Sequence, residues 1–159
     1  MRRAPGLPIV IDSNVLLQSQ RPDNVNWTRE LATPARVILP LRVIEEIDAK
    51  KYSNSERLKQ RARELLPWIN RLFPEGDLGP VELRADATIE LLLAERPRHR
   101  PDDADDEILE VCHDVVRFAG RGRLMTADTA MRLRAMIEGL EVLFLPSEWH
   151  RDAADSATS

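Results

Sequence analysis

One stretch near the amino terminus restricts what the chain can fold into more than any other: Ile9-Val10-Ile11-Asp12-Ser13-Asn14-Val15-Leu16-Leu17. The apolar β-branched run at its start reads as a strand buried in a sheet. It stops at a carboxylate, and two small polar residues lead straight into a new apolar segment, as when a strand feeds a helix. Asp12 therefore stands at the carboxyl end of a strand, the edge of an open α/β sheet where ligands and catalytic groups gather. Asp and Ser are also good helix caps, so Asp12 taken alone is equally compatible with a structural role.

The same rhythm continues downstream. A short helix from Val15 to Gln20 is broken by Arg21-Pro22-Asp23-Asn24, and Trp27 to Leu31 adds another helical turn. Val37-Ile38-Leu39-Pro40 is a second strand, whose proline opens a helix from Leu41 to about Lys51. A cap within Ser53-Asn54-Ser55-Glu56 starts a helix to Phe73, with Leu58, Ala62, Leu65, Leu66 and Ile69 in helical spacing and Pro67 placed to bend or split it. Val81-Glu82-Leu83 reads as a third strand and Ala85 to Glu95 as a helix. Asp102 to Asp106 opens an amphipathic helix to about Phe118, closed by Gly120-Arg121-Gly122. Arg123 to Thr126 is a fourth strand, Asp128 starts a helix to about Glu138, and Val142 to Leu145 is a fifth strand stopped by Pro146. Strands alternating with helices predict a parallel sheet covered on both faces. With 159 residues, one domain over residues 1–146 is expected, followed by a polar, flexible tail over 147–159.

Four acidic residues obey one rule, lying at strand ends or helix starts on the same edge of that sheet: Asp12, Glu46, Asp105 and Asp128. The phase of Asp105 is informative, because Ile108, Leu109 and Cys112 lie three, four and seven positions on, so Asp105 continues the buried stripe. On the helix from Leu41, the stripe of Val43, Ile44 and Ile47 leaves Glu46 on its flank and Glu45 nearly opposite. Carboxylates gathered in an interior repel one another and call for a cation or a raised pKa. Oxygen-only ligands favour Mg²⁺ or Mn²⁺ over zinc.

At these positions the chain resembles the PIN domain nucleases. The segments that carry the resemblance are Ile11-Asp12-Ser13-Asn14-Val15-Leu16, Leu39-Pro40-Leu41-Arg42-Val43-Ile44-Glu45-Glu46-Ile47-Asp48, Asp105-Asp106-Glu107-Ile108-Leu109 and Leu124-Met125-Thr126-Ala127-Asp128. The resemblance implies a three-layer α/β/α sandwich with a five-stranded parallel sheet, and a metal-dependent endonuclease acting mainly on RNA, often single-stranded. Asp12, Glu46, Asp105 and Asp128 would form its acidic quartet around Mg²⁺ or Mn²⁺, with Ser13, Asn14 and Thr126 as polar support. On the partner side it implies an RNA substrate, an antitoxin protein if the chain is the toxin of a pair, and a homodimer as a further candidate. The long, proline-interrupted middle, Ser53 to Arg100, exceeds the compact toxin members, which bears on substrate and partner surfaces. The sequence does not separate a toxin from an RNA-processing enzyme; a small DNA-binding antitoxin encoded next door would.

Composition narrows the alternatives. A net charge of -4 excludes a bulk polyanion binder, so RNA contact needs local basic patches. Lys50, Lys51, Arg98 and Arg100 are the leading candidates, with Arg57, Lys59, Arg61, Arg63 and Arg96 beside them, although each run also reads as a solvated face. An aromatic content of 4% argues against serial base stacking and leaves Trp27, Trp68 and Trp149 to packing. The single cysteine, Cys112, rules out a disulfide framework within one chain and fits a reducing, cytoplasmic setting. The apolar run after Met1-Arg2-Arg3 is short and broken by Pro5, Gly6 and Pro8, so neither a signal peptide nor a membrane span is expected. His99, His113 and His150 are too scattered for histidine chemistry. A phospho-acceptor receiver or an aspartate-nucleophile phosphatase would want a late lysine, and none follows Lys59; the phosphatase also wants a second acid where Asn14 stands. A glycine-rich phosphate loop is missing, which disfavours a nucleotide switch. A non-catalytic binding module of the same fold stays open.

Overall fold

The computed structural model describes residues 6–92 and 103–151. Strands β1 (Leu7–Ile11) and β2 (Ala35–Pro40) are buried along their whole length, as unbroken apolar runs require in a parallel sheet covered on both faces. They pair in parallel, and β1 pairs on its other side with β5 (Arg123–Thr126), which is parallel to β6 (Glu141–Phe144). Beyond β2 lies β4 (Ala87–Leu92), also parallel, and β3 (Val81–Arg84) closes that edge antiparallel to β4. The order β3-β4-β2-β1-β5-β6 puts β1 where the chain, having built outward on one side, returns to build on the other. Such a switch point leaves a crevice at the carboxyl ends of the strands.

Helices flank the sheet in the three-layer arrangement. α1 (Ser13–Gln18), α3 (Leu41–Ala49) and α4 (Glu56–Leu72) pack on one another, α2 (Trp27–Leu31) on β2, α5 (Ala104–Ala119) on β1 and β5, and α6 (Thr129–Ile137) on β5 and β6. One continuous core joins β1, β2 and β5 to Val43, Ile47, Leu65, Ile108 and Met131. Among the described residues, no helix is long and apolar enough to cross a membrane.

Four expectations need correction. The sheet has six strands rather than five, and one of them runs antiparallel. The predicted helix from Ala85 is instead β4 as far as Leu92, the remainder lying outside the described residues. Ala87, Ile89 and Leu91 alternate with Thr88 and Glu90, and the short turn at Ala85-Asp86 makes a hairpin with β3. Glu90 can occupy a covered strand because Arg36 of β2 meets it at 2.6 Å, and a paired charge escapes most of the cost of burying a lone one. α4 runs through Pro67 without splitting: Pro67 and Arg63 are on the exposed face, where water can satisfy the carbonyl that loses its partner. Finally, the first part of the expected tail is folded, residues 152–159 lying outside the described ones. Residues Ser147–Trp149 form a 3-10 turn, and Trp149 is buried with its ring edge-on to Trp27 at 4.8 Å.

That contact generates a prediction. Trp149→Ala should lower unfolding free energy by about 3 kcal/mol or more, the usual range for emptying a buried tryptophan site, read from urea denaturation. An unchanged midpoint would show that this segment is not part of the cooperative unit.

Candidate active site

The ladder between β1 and β5 extends to Asp12, whose backbone N–H donates to the Met125 carbonyl at 3.1 Å. Its carboxylate therefore leaves the sheet at the mouth of the crevice, and it is only 3% exposed. Ser13 N–H donates to Oδ1 at 2.7 Å, and Asn14 Nδ2 and Thr126 Oγ1 donate to Oδ2 at 3.0 and 3.1 Å. Burial pushes its pKa up and these three bonds hold it down, with a net rise. Thr126 Oγ1 also accepts from Asp128 N–H at 3.1 Å, and Asn14 Oδ1 accepts from Ala127 N–H at 2.9 Å. Ser13, Asn14 and Thr126 thus tie the end of β1 to the turn after β5.

Glu46 comes from the second turn of α3. Ser13 Oγ donates to its Oε2 at 3.3 Å, while its Oε1 is buried without a hydrogen-bond partner. Burial first, then the charges of Asp12 and Asp105, push its pKa from an ordinary 4.5 to about 7, with the Ser13 hydrogen bond and then Arg42 opposing. Glu45 sits on a partly exposed part of the same helix. Asp105, in the first turn of α5, is raised by burial and then by Asp103 and Asp128, with Arg134 opposing. Asp128 caps α6, its Oδ1 accepting from Met131 N–H at 3.1 Å. The four predicted acids therefore form an electrostatic chain, Glu46 to Asp12 to Asp105 to Asp128.

The donors are all oxygens, and Glu46 Oε1 is a buried acceptor lacking a donor, so the chemistry of the cluster suits a hard divalent cation. As the side chains stand, no three His, Cys, Asp or Glu groups among the described residues are close enough together to hold an ion.

Two cations at this edge escaped the sequence reading. Arg42 Nη1 lies 3.5 Å from Glu107 Oε2; its place one turn before Glu46 on α3 was the available signal. Arg134 of α6 pairs with Asp106 and lies 3.5 Å from Asp103, a long-range contact with no local signature. Lys50 and Lys51 follow at the far end of α3, Lys51 paired with Asp48 at 2.8 Å. Arg61 is a correction, being buried rather than offered to a ligand. Its Nε donates to the Leu16 carbonyl at 3.1 Å and its Nη2 to the Ser19 carbonyl at 2.7 Å. Arg96, Arg98 and Arg100 lie outside the described residues.

The sequence profile of the PIN domain matches residues 9–144. The chain belongs to the PIN domain family. A domain of a functionally unknown protein from Methanocaldococcus jannaschii is similar in structure, with a TM-score of 0.54 at 17% identity over 89% of this chain and 93% of the other. The PIN domain endonuclease Utp24 is similar at a TM-score of 0.51 and 18% identity, over 92% of this chain and 90% of that one. At such identities the likeness is one of fold. A search of curated protein sequences finds no significant match. PIN domain nucleases are hydrolases acting on nucleic acids and generally use divalent metal ions.

The raised acids of this PIN domain set the sign of its pH dependence. Between pH 4.5 and about 7 the folded protein keeps a proton on Glu46 that the unfolded chain has lost, so stability falls as pH rises through that window. Asp12 and Asp105, also raised, act in the same direction. Urea midpoints in EDTA should decrease across the window, and Glu46→Gln should make the decrease shallower. A midpoint that rises instead would contradict the burial of these carboxyls.

Proposed function

We propose that this PIN domain is a metal-dependent endonuclease that hydrolyses phosphodiester bonds of single-stranded RNA. The observation that carries the reading is the buried carboxylate of Asp12, at the switch point of the sheet and in electrostatic contact with Glu46 and Asp105. Asp12 and Asp105 would hold Mg²⁺ or Mn²⁺ directly, with Asp128 and Glu46 doing so directly or through water. A divalent cation in such a site lowers the pKa of bound water and neutralises charge on the phosphate. Asn14 and Thr126 keep Asp12 in one orientation. Glu46 has a buried Oε1 without a hydrogen-bond partner, an oxygen available to the cation or to its water. Arg42, paired with Glu107 at the same edge, would offset part of the repulsion felt by Glu46. RNA as the substrate class is supported by the family resemblance.

Cleavage of a labelled single-stranded RNA should require Mg²⁺ or Mn²⁺ and stop in EDTA; activity that persists in EDTA would overturn the metal reading. Asp12→Asn and Asp105→Asn should each lower the rate by more than about 100-fold, beyond the loss typical of residues that only support metal ligands. Glu46→Gln should impair cleavage strongly and Glu45→Gln hardly at all, both proteins folding normally. The reverse ranking would show that the wrong face of α3 has been assigned to the site.

Charge reversal at Lys50 and Lys51 should weaken RNA binding and flatten its salt dependence by about 0.7 in the log–log slope for each phosphate that is no longer neutralised. An unchanged slope would make these lysines solvated surface.

A further inference from the structure

β6 ends on the edge of the sheet that holds the acids. Thr126, the last residue of β5, pairs in register with Phe144, the last of β6, and residues paired in this way point to the same face of a sheet. Thr126 Oγ1 donates to Asp12 Oδ2 at 3.1 Å. Asp12, Thr126 and Phe144 thus follow one another across the carboxyl ends of three neighbouring strands. Two strand spacings separate the outer two, so the backbone of Phe144 is about 10 Å from that of Asp12. The Phe144 side chain is 49% exposed, which leaves it open to a further contact.

Arg132 of α6 covers this ring. Its guanidinium carbon lies 5.1 Å from the ring centroid, within cation–π range. It reaches the same edge because it follows Asp128 by one helical turn, its backbone N–H donating to the Asp128 carbonyl at 3.0 Å. Arg42 and Arg134, the other two arginines described at this edge, are spent on carboxylates, Arg42 on Glu107 and Arg134 on Asp103 and Asp106. Arg132 differs from both. Among the described residues it has no ion-pair partner, and its Nε is buried without a hydrogen bond. Buried donors are normally satisfied, so this guanidinium has charge and hydrogen-bonding capacity left for a ligand.

We propose that Phe144 and Arg132 form a subsite for one nucleotide of a single-stranded RNA lying across the acidic cluster, its base stacked on the pair and its phosphate on Arg132; this rests on the nuclease reading of the acids. An aromatic ring and a guanidinium plane are the surfaces on which unpaired bases stack. One ring holds one base, which agrees with a chain whose 4% aromatic content is too low for serial stacking. Every base has a π-face, so the subsite orients the strand without selecting its sequence. Leu133, Met136 and Ile137 of the same helix are also exposed, and they make a protein partner the competing occupant. An apolar surface laid on Phe144 would bury the guanidinium without an acceptor, which is costly, whereas a phosphate supplies one.

Binding is read by fluorescence anisotropy on Asp12→Asn protein in EDTA, with a labelled ten-nucleotide oligouridylate and an abasic strand of the same length. Phe144→Ala should weaken the oligouridylate about tenfold and leave the abasic strand unchanged, and Phe144→Trp should restore the loss. Arg132→Gln should weaken both strands and lower the log–log salt slope by about 0.7, the share of one phosphate on a single strand. Urea midpoints confirm that each variant folds. If Arg132 only shields the ring, Arg132→Gln lowers the urea midpoint and leaves the salt slope as it was, which overturns the proposal. So do an equal loss of both strands in Phe144→Ala and a lack of binding by either strand. Loss of self-association in Phe144→Ala with RNA binding unchanged overturns it in favour of a protein contact. Cleavage that survives both EDTA and Asp12→Asn would count against the proposed metal site alone, because the effects at Phe144 and Arg132 are read as binding.

Discussion

Repulsion among carboxylates that have been taken out of water is the constraint around which this PIN domain is arranged. Two like charges 4 Å apart repel by about 4 kcal/mol at an effective dielectric constant near 20, a large fraction of the net stability of a small domain. Something must hold such groups at one sheet edge, and the fold supplies helix N-termini. Asp12 caps α1, Asp128 caps α6 and Asp105 lies in the first turn of α5. Each position places a carboxylate beside free backbone N–H groups and the positive end of a helix dipole. Glu46, the sixth residue of α3, has no such help, and it is the acid pushed up to about 7.

The capping role and membership of the cluster are therefore one arrangement. A cap residue has a fixed backbone conformation and a side chain held by an amide, which is also what a ligand-holding carboxylate requires. Asp12 illustrates this. Its Oδ1 is taken by Ser13 N–H, while Oδ2 is shared by Asn14 and Thr126. The hydroxyl of Thr126 in turn accepts from Asp128 N–H, so two of the acids are positioned through one side chain.

Which parts of this were legible in the sequence follows from the range of the forces involved. The Ile9–Asp12 step, the cap at Asp128 and the phase of Asp105 are local patterns, and the structure brings those residues to one edge of the sheet. The face of α3 that turns Glu46 towards Ser13 followed from helical periodicity. What was missed depends on distant partners. Glu90 on a covered strand is accounted for only by Arg36 of β2, distant in sequence, and Trp149 reads as a packing residue whose neighbour, Trp27, lies too far away in sequence to show that Ser147–Trp149 is held with it. Arg134 was invisible for the same reason, since Asp103 and Asp106 meet it across two helices.

Arg61 shows how a charged run can mislead and then explain. As one of several cations on α4 it looked available to a polyanion, but it is spent on the other end of α1, where helix carbonyls run out of partners. A guanidinium there satisfies the Leu16 and Ser19 carbonyls and places positive charge at the negative end of the helix dipole. α1 is thus held by Asp12 at its start and by α4 at its end. With only six residues, it is too short to be stable alone, so the positions of Ser13 and Asn14 against Asp12 depend on both attachments. The orientation of the most buried carboxylate is in this way linked to an arginine on the far side of the helix.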